Sequence, residues 1–187
     1  SNQVGFLEAG EMAVITREGV DYLDADGSIF DKELRTVSLE DVLIDKGGHR
    51  HFMLKEIMEQ PQAVASAMRE RIDFESGKVY LPGFPISDSD LRQLQRIVLI
   101  GCGTSLNAAA VGRYLIEMYA GMPAETDSSS EFRYRDPYID ERTLVVSVGQ
   151  SGETADTVAA MQEAKDRAAR LITICNMEDS QADRLAE

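Results

Sequence analysis

The chain has 187 residues, 43% hydrophobic and 28% charged, which excludes a disordered chain and fits one ordinary domain with an appendage. With 33 acids against 19 bases the formal net charge is -14, so no basic stripe is available to neutralise a nucleic-acid backbone, although a few local amides can still hold a small phosphate. The longest apolar runs are too short for a membrane span, and Ser1-Asn2-Gln3 begins neither a basic nor an apolar leader, so a cytoplasmic protein without a signal peptide is expected.

Residues 5–37 read as β structure. Met12–Thr16 and Val20–Asp24 are two strands joined at Arg17-Glu18-Gly19, and Asp26-Gly27 turns the chain into Ser28-Ile29-Phe30. So small a meander needs another layer over its apolar face. Ser38–Gly48 is a charged connection. His49 and His51 stand at i,i+2 and share no helix face, and no third ligand has the right spacing, so a metal site is not expected. A linker helix burying Phe52 with Met53 or Ile57 follows. Pro61 then suits the first position of a second helix, Pro61–Ile72, with Val64, Met68 and Ile72 as its apolar stripe. Phe74–Pro85 reads as a loop, and Ser87-Asp88-Ser89-Asp90 as the cap of a short helix carrying Leu91 and Leu94.

From Arg96 the pattern alternates strand and helix. The strands are Arg96–Ile100, Pro123–Ser128, Thr143–Val148 and Leu171–Cys175; the helices are Leu106–Ala120, stopped by Gly121, and Ala155–Arg170. Short connections imply right-handed crossovers and a parallel sheet. Cys102 and Cys175 each close an apolar strand and read as small buried residues rather than a disulfide.

Two loops carry the chemistry. Gly101-Cys102-Gly103-Thr104-Ser105 leaves the first strand, and Gly149-Gln150-Ser151-Gly152-Glu153-Thr154 leaves the third; each opens a helix. The first amides of a helix have no partner within it and carry partial positive charge, so a phosphate seated there is held by N–H groups and neighbouring hydroxyls. The competing reading is that Ser151 or Thr154 merely caps its helix. In a parallel sheet both loops lie on one edge, where ligands bind. Thr104, Ser105, Ser151 and Thr154 supply more hydroxyls than turn-making needs and suit a phosphorylated polar small molecule. Glu153, the one carboxylate in the motif, reads as a first-turn residue favoured by the helix dipole.

Gly101–Ser105, the string Gln150-Ser151-Gly152-Glu153-Thr154-Ala155-Asp156-Thr157, and Ser130–Arg135 between them resemble the sugar isomerase (SIS) domain. Among SIS proteins they are most similar to the isomerizing glutamine–fructose-6-phosphate aminotransferases. The resemblance implies a three-layer α/β, flavodoxin-like parallel sheet of order 2-1-3-4, its fifth strand missing, preceded by a small β meander and linker helices. It implies residues 1–37 as the closing strands of a class II amidotransferase (glutaminase) domain, otherwise cut away, 38–60 as a linker and 61–187 as a truncated first SIS domain. The missing fifth strand would leave the fourth as an edge for a partner chain or a neighbouring segment to cover.

Carried across by motif, the sugar-phosphate contacts are Cys102 (through its backbone), Thr104, Ser105, Gln150, Ser151 and Thr154. The implied ligand is fructose 6-phosphate or a related hexose phosphate, with no cofactor, no metal and a homodimeric assembly. The family's acid, base and Schiff-base lysine lie outside these residues, so the piece is expected to bind sugar phosphate without catalysis. Gly149 departs from the family's common Ser-Gln-Ser-Gly-Glu-Thr and removes a phosphate-facing hydroxyl while leaving its amide. The arginines and tyrosine of Ser130–Arg135 are expected at the surface or an interface. Two alternatives stand: a non-catalytic SIS-type phosphosugar sensor, and a dinucleotide-binding oxidoreductase. The second has only Gly101-x-Gly103, because Leu106 occupies the third glycine position of that fingerprint.

Overall fold

The computed structural model describes residues 3–36, 46–69, 71–81 and 84–186. The chain divides into two compact units, residues 1–80 and 81–187.

In the first unit, β1 (Gln3–Val4), β2 (Met12–Ile15), β3 (Val20–Leu23), β4 (Ile29–Phe30) and β5 (Arg35–Thr36) precede α1 (Phe52–Met68), β6 (Ile72–Asp73) and β7 (Lys78–Val79). The meander is present as an antiparallel sheet β2-β3-β4, with Met12 opposite Leu23 and Tyr22 opposite Phe30. Its second turn is held by Asp24 Oδ1, which accepts from the amides of Asp26 (3.0 Å) and Ser28 (2.9 Å). The pairing of β1 with β5 was not anticipated. Met12, Val14 and Ile29 on one face and Ile15 and Val20 on the other remain exposed, as the small size of this sheet leads one to expect. Most of the charged connection Ser38–Gly48 lies outside the described residues.

Three expectations for this unit are corrected. A single helix of 17 residues replaces the predicted pair, and it runs through Pro61 rather than starting there. The proline ring tolerates helical φ and forfeits one intrahelical hydrogen bond without ending the helix. No residue of α1 is buried, so Phe52 does not pack inward with Met53 or Ile57; it lies beneath the Lys46 ammonium, 5.3 Å from the ring centroid. The predicted loop begins with a hairpin instead. Ile72 stands in β6 rather than in a helix, and Asp73 Oδ1 collects the Glu75 (3.0 Å) and Ser76 (3.3 Å) amides.

The second unit comprises α2 (Asp88–Leu91), β8 (Arg96–Gly101), α3 (Thr104–Ala120), β9 (Ala124–Ser128), α4 (Ser129–Phe132), β10 (Thr143–Val148), α5 (Ala155–Asp166), β11 (Arg170–Ile174) and α6 (Gln181–Leu185). The sheet is parallel throughout, in the order β11-β10-β8-β9, which is the expected 2-1-3-4. β8 and β10 are apolar almost without interruption because they are central and covered on both faces. Val98, Ile100, Val145 and Leu171 pack with Phe132, Ala160, Met161 and Ala182 on one face. On the other, Leu99, Leu144 and Val146 pack with Ile86, Leu94, Ala109 and Ala124. The result is a three-layer α/β unit with β9 and β11 at its edges.

Ser87 caps α2 as its sequence requires, accepting from the Asp90 amide at 3.2 Å. Gly121 ends α3 in the left-handed conformation, also as read. α5, by contrast, stops at Asp166 rather than reaching Arg170. Ala168 adopts φ 58°, while its amide bonds to the Lys165 carbonyl (3.0 Å) and that of Ala169 to the Ala164 carbonyl (3.2 Å). This is a Schellman stop without its usual glycine, invisible to a reading that looks for one. The outer side of α3 exposes Val111, Tyr114, Leu115, Met118 and Tyr119.

Candidate phosphosugar site

β8 and β10 are adjacent and parallel, with Ile100 opposite Ser147. The loops that follow them therefore leave from one edge of the sheet, and Thr104 and Ser151 lie on the same edge. Gly101 ends β8 where a β-carbon would sit 3.0 Å from the Val148 carbonyl oxygen, so the absence of a side chain there lets the two strand ends approach.

Whether the loop residues cap their helices is decided locally. Thr154 is the N-cap residue of α5, yet its side chain makes no cap bond; Gly103 is that of α3 and has none to offer. The first intrahelical bond of α5 joins the Val158 amide to the Thr154 carbonyl (2.9 Å), leaving the amides of Ala155, Asp156 and Thr157 without a helix partner. The hydroxyls of Thr104, Ser105 and Thr154 make no hydrogen bond to the described residues, and Thr104 and Thr154 are exposed. Ser151 is half-buried and its Oγ accepts from the Glu153 amide (3.2 Å); Gln150 is exposed. In the other loop the Ser105 and Leu106 amides turn back to the carbonyls of Cys102 and Gly103, each at 3.2 Å, so α5 is the more open of the two helix starts.

Three expectations about these loops change. The Gly149 amide is not left for a phosphate: it donates to the Ile174 carbonyl at 2.9 Å, extending the β10–β11 ladder by one bond. Glu153 does not lie in the first turn of α5, which carries Asp156. It precedes the cap and turns toward the start of α6, its two oxygens accepting from the Gln181 amide (2.9 Å) and the Gln181 side-chain amide (2.5 Å). The two cysteines are free but half-buried, not buried.

A small solvent-open pocket lies beside the second loop, lined by Ser147, Gly149, Gly152, Thr154, Thr157, Thr173, Cys175 and Ala182. Of the six residues singled out from the sequence, only Thr154 lines it; the other five stand on the same two loops at the same sheet edge.

The sequence reading passed over Ser129 and Thr157. Both are buried, and Thr157 Oγ1 lies 3.2 Å from Ser129 Oγ and 3.8 Å from Cys102 Sγ. The run Ser128-Ser129-Ser130 and the spacing of Thr157 one turn after Thr154 were the available signals. Arg133 pairs with Asp156 on α5 (3.1 Å) and Arg135 with Asp127 (2.5 Å), while Tyr134 is exposed, in keeping with the surface role expected of that stretch. Among the described residues no group of three His, Cys, Asp or Glu side chains is placed to hold a metal ion, and no helix is long and apolar enough to cross a membrane.

The SIS domain family profile matches residues 90–187. A glutamine–fructose-6-phosphate aminotransferase (isomerizing) of Symbiobacterium thermophilum is 43% identical over 187 residues, which is 100% of this chain and 31% of the relative. That of Caldanaerobacter subterraneus is 41% identical with the same coverage, so the chain spans about a third of the length of these relatives. Among solved structures, the C-terminal domain of glucosamine-fructose-6-phosphate aminotransferase from Francisella tularensis superposes with a TM-score of 0.68 at 35% identity, over 76% of this chain and 39% of that one. With more than half its residues matched by the profile, and the parallel sheet and paired hydroxyl loops in place, the chain belongs to the SIS domain family.

Proposed function

We propose that this chain is the phosphosugar-binding part of an isomerizing glutamine–fructose-6-phosphate aminotransferase, the enzyme that converts fructose 6-phosphate and glutamine to glucosamine 6-phosphate and glutamate. In this reading residues 1–37 are the closing strands of the glutaminase domain and 38–60 the linker. Residues 61–187 are the first SIS domain, with α1 spanning the boundary. The protein works in the cytoplasm as a homodimer; the exposed apolar row on α3 supports an interface there.

The observation that carries the reading is the uncapped start of α5, with three unpartnered amides, on the same sheet edge as the unengaged hydroxyls of Thr104, Ser105 and Thr154. A phosphate dianion there is held by charge-assisted hydrogen bonds from amides and hydroxyls. The sugar contacts are Cys102 through its backbone, Thr104, Ser105, Gln150, Ser151 and Thr154. No general base is assigned: Glu153, the carboxylate of the motif, is engaged by Gln181. The chain alone binds and does not catalyse.

Calorimetric titration of the 187-residue chain tests this. Fructose 6-phosphate is expected to bind and NAD not to. Paired substitution Thr104→Ala with Ser151→Ala should weaken binding by at least tenfold, since hydrogen bonds to a charged acceptor are worth about 1.5–3 kcal/mol each. Absence of fructose 6-phosphate binding refutes the site. Production of glucosamine 6-phosphate from fructose 6-phosphate and glutamine refutes the non-catalytic assignment.

A further inference from the structure

We propose that Thr157 is a positioning residue of this site, clamping the β8–α3 loop to the first turn of α5 so that both present their donors to one ligand. The inference rests on the phosphosugar reading above. Its basis is a junction of three elements at one hydroxyl. Thr157 belongs to the first turn of α5, and its Oγ1 lies 3.8 Å from Cys102 Sγ, in the loop that carries Thr104 and Ser105. The same atom lies 3.2 Å from Ser129 Oγ, at the start of α4 behind β9. Thr157 is only 6% exposed and Ser129 wholly buried. A valine would fill this space equally well, so packing alone gives no reason for a hydroxyl; a buried hydroxyl is favourable only when it is bonded. The one hydroxyl proton is shared between Ser129 Oγ and Cys102 Sγ, which ties the β8–α3 loop and the start of α4 to the first turn of α5. Thr157 also lines the cavity beside Thr154.

A hexose phosphate spans both loops; inorganic phosphate needs only one helix start. Loss of the clamp should therefore weaken the first far more than the second. We compare the parent chain with Thr157→Val, which keeps the shape and removes the hydroxyl, and Thr157→Ser, which restores it. Titrations with fructose 6-phosphate and with inorganic phosphate should give about a tenfold loss for the sugar phosphate in T157V, within twofold of parent for inorganic phosphate, and recovery in T157S; tenfold corresponds to about 1.4 kcal/mol. Equal affinities in parent and T157V, or equal losses for the two ligands, overturn the proposal. A second measurement needs no ligand. The rate of iodoacetamide alkylation at Cys102, read by mass spectrometry of its peptide, should change in T157V and return in T157S. If the parent binds neither anion, the phosphosugar reading fails. In that case an unchanged Cys102 rate in T157V removes the clamp as well, and a changed rate retains it as a property of the fold.

Discussion

Gly152 packs directly against Ser180: a β-carbon on Gly152 would overlap the Ser180 hydroxyl and lie 2.5 Å from its Cβ. Gly152 also holds φ 66°, and its carbonyl accepts from the Ala182 amide at 3.0 Å. The Gly149–Thr154 loop is thus seated on the segment leading into α6, with the Asn176 amide on the Gln150 carbonyl (3.0 Å) and Gln181 on Glu153 as further ties. Gly152→Ala should cost about 1–2 kcal/mol for the left-handed backbone and about 1–3 kcal/mol for overpacking. Urea unfolding would read the sum, and sugar-phosphate binding should fall with it. An alanine variant of parental stability would mean that the loop and α6 move apart freely.

Gly149 presents the opposite case. A β-carbon there meets nothing within 4 Å, its φ is not left-handed, and its amide is already bonded to Ile174. Gly149→Ser therefore adds a hydroxyl beside the cavity without strain. The expected outcome is unchanged stability and roughly two- to tenfold tighter sugar-phosphate binding, the range of a hydrogen bond worth about 0.5–1.5 kcal/mol. Calorimetry checks it; unchanged or weaker binding would show that the serine hydroxyl does not reach the phosphate.

The parts of this molecule legible in its sequence are those where one local signal and the global fold agree. The β-branched runs of β8 and β10 could only be buried strands, and Ser87 and Gly121 sit where a helix must start and stop. The two hydroxyl-bearing loops were legible because small and hydroxyl residues interrupt that pattern twice in the same way. What escaped were contacts made through space. Nothing in the spacing of Thr157 and Ser129, 28 residues apart, announces a shared hydrogen bond. Nor does Glu153 declare that its partner is Gln181 rather than the helix beside it. Pro61 misled for a different reason: its preference for a first turn is statistical, and here the helix accommodates it in the interior.

Ala168 is a residue in a glycine's position. At φ 58° it ends α5 with both Schellman bonds made, and a β-carbon in that region costs about 1–2 kcal/mol. Ala168→Gly relieves this and loses about 0.4–1 kcal/mol through the freer unfolded chain, so a net gain of roughly 0.5–1 kcal/mol is expected. Thermal unfolding should show a higher midpoint, with binding unaltered because the site is at the other end of the helix. A lower midpoint would mean that the Ala168 methyl group contributes packing that outweighs the strain.

In the first unit, Glu11 carries a pH signature. The Glu8 amide donates to its carboxylate at 2.7 Å and the Lys32 ammonium at 2.5 Å, and together, the backbone bond first, they hold its pKa below the ordinary glutamate value. A depressed folded-state pKa stabilises above the unfolded value, about 4.3, and that contribution disappears as pH falls through the folded one. Carbon-detected NMR titration should place the Glu11 midpoint below that of a free glutamate. In Lys32→Met it should move part of the way back, because the Glu8 bond survives. The meander should accordingly resist unfolding less on the acid side of this transition than at neutral pH, and the difference should shrink in the Lys32 variant. A Glu11 midpoint at or above the free value, or one unmoved by the loss of Lys32, would show that the ammonium contributes nothing to keeping the Glu11 carboxylate ionised.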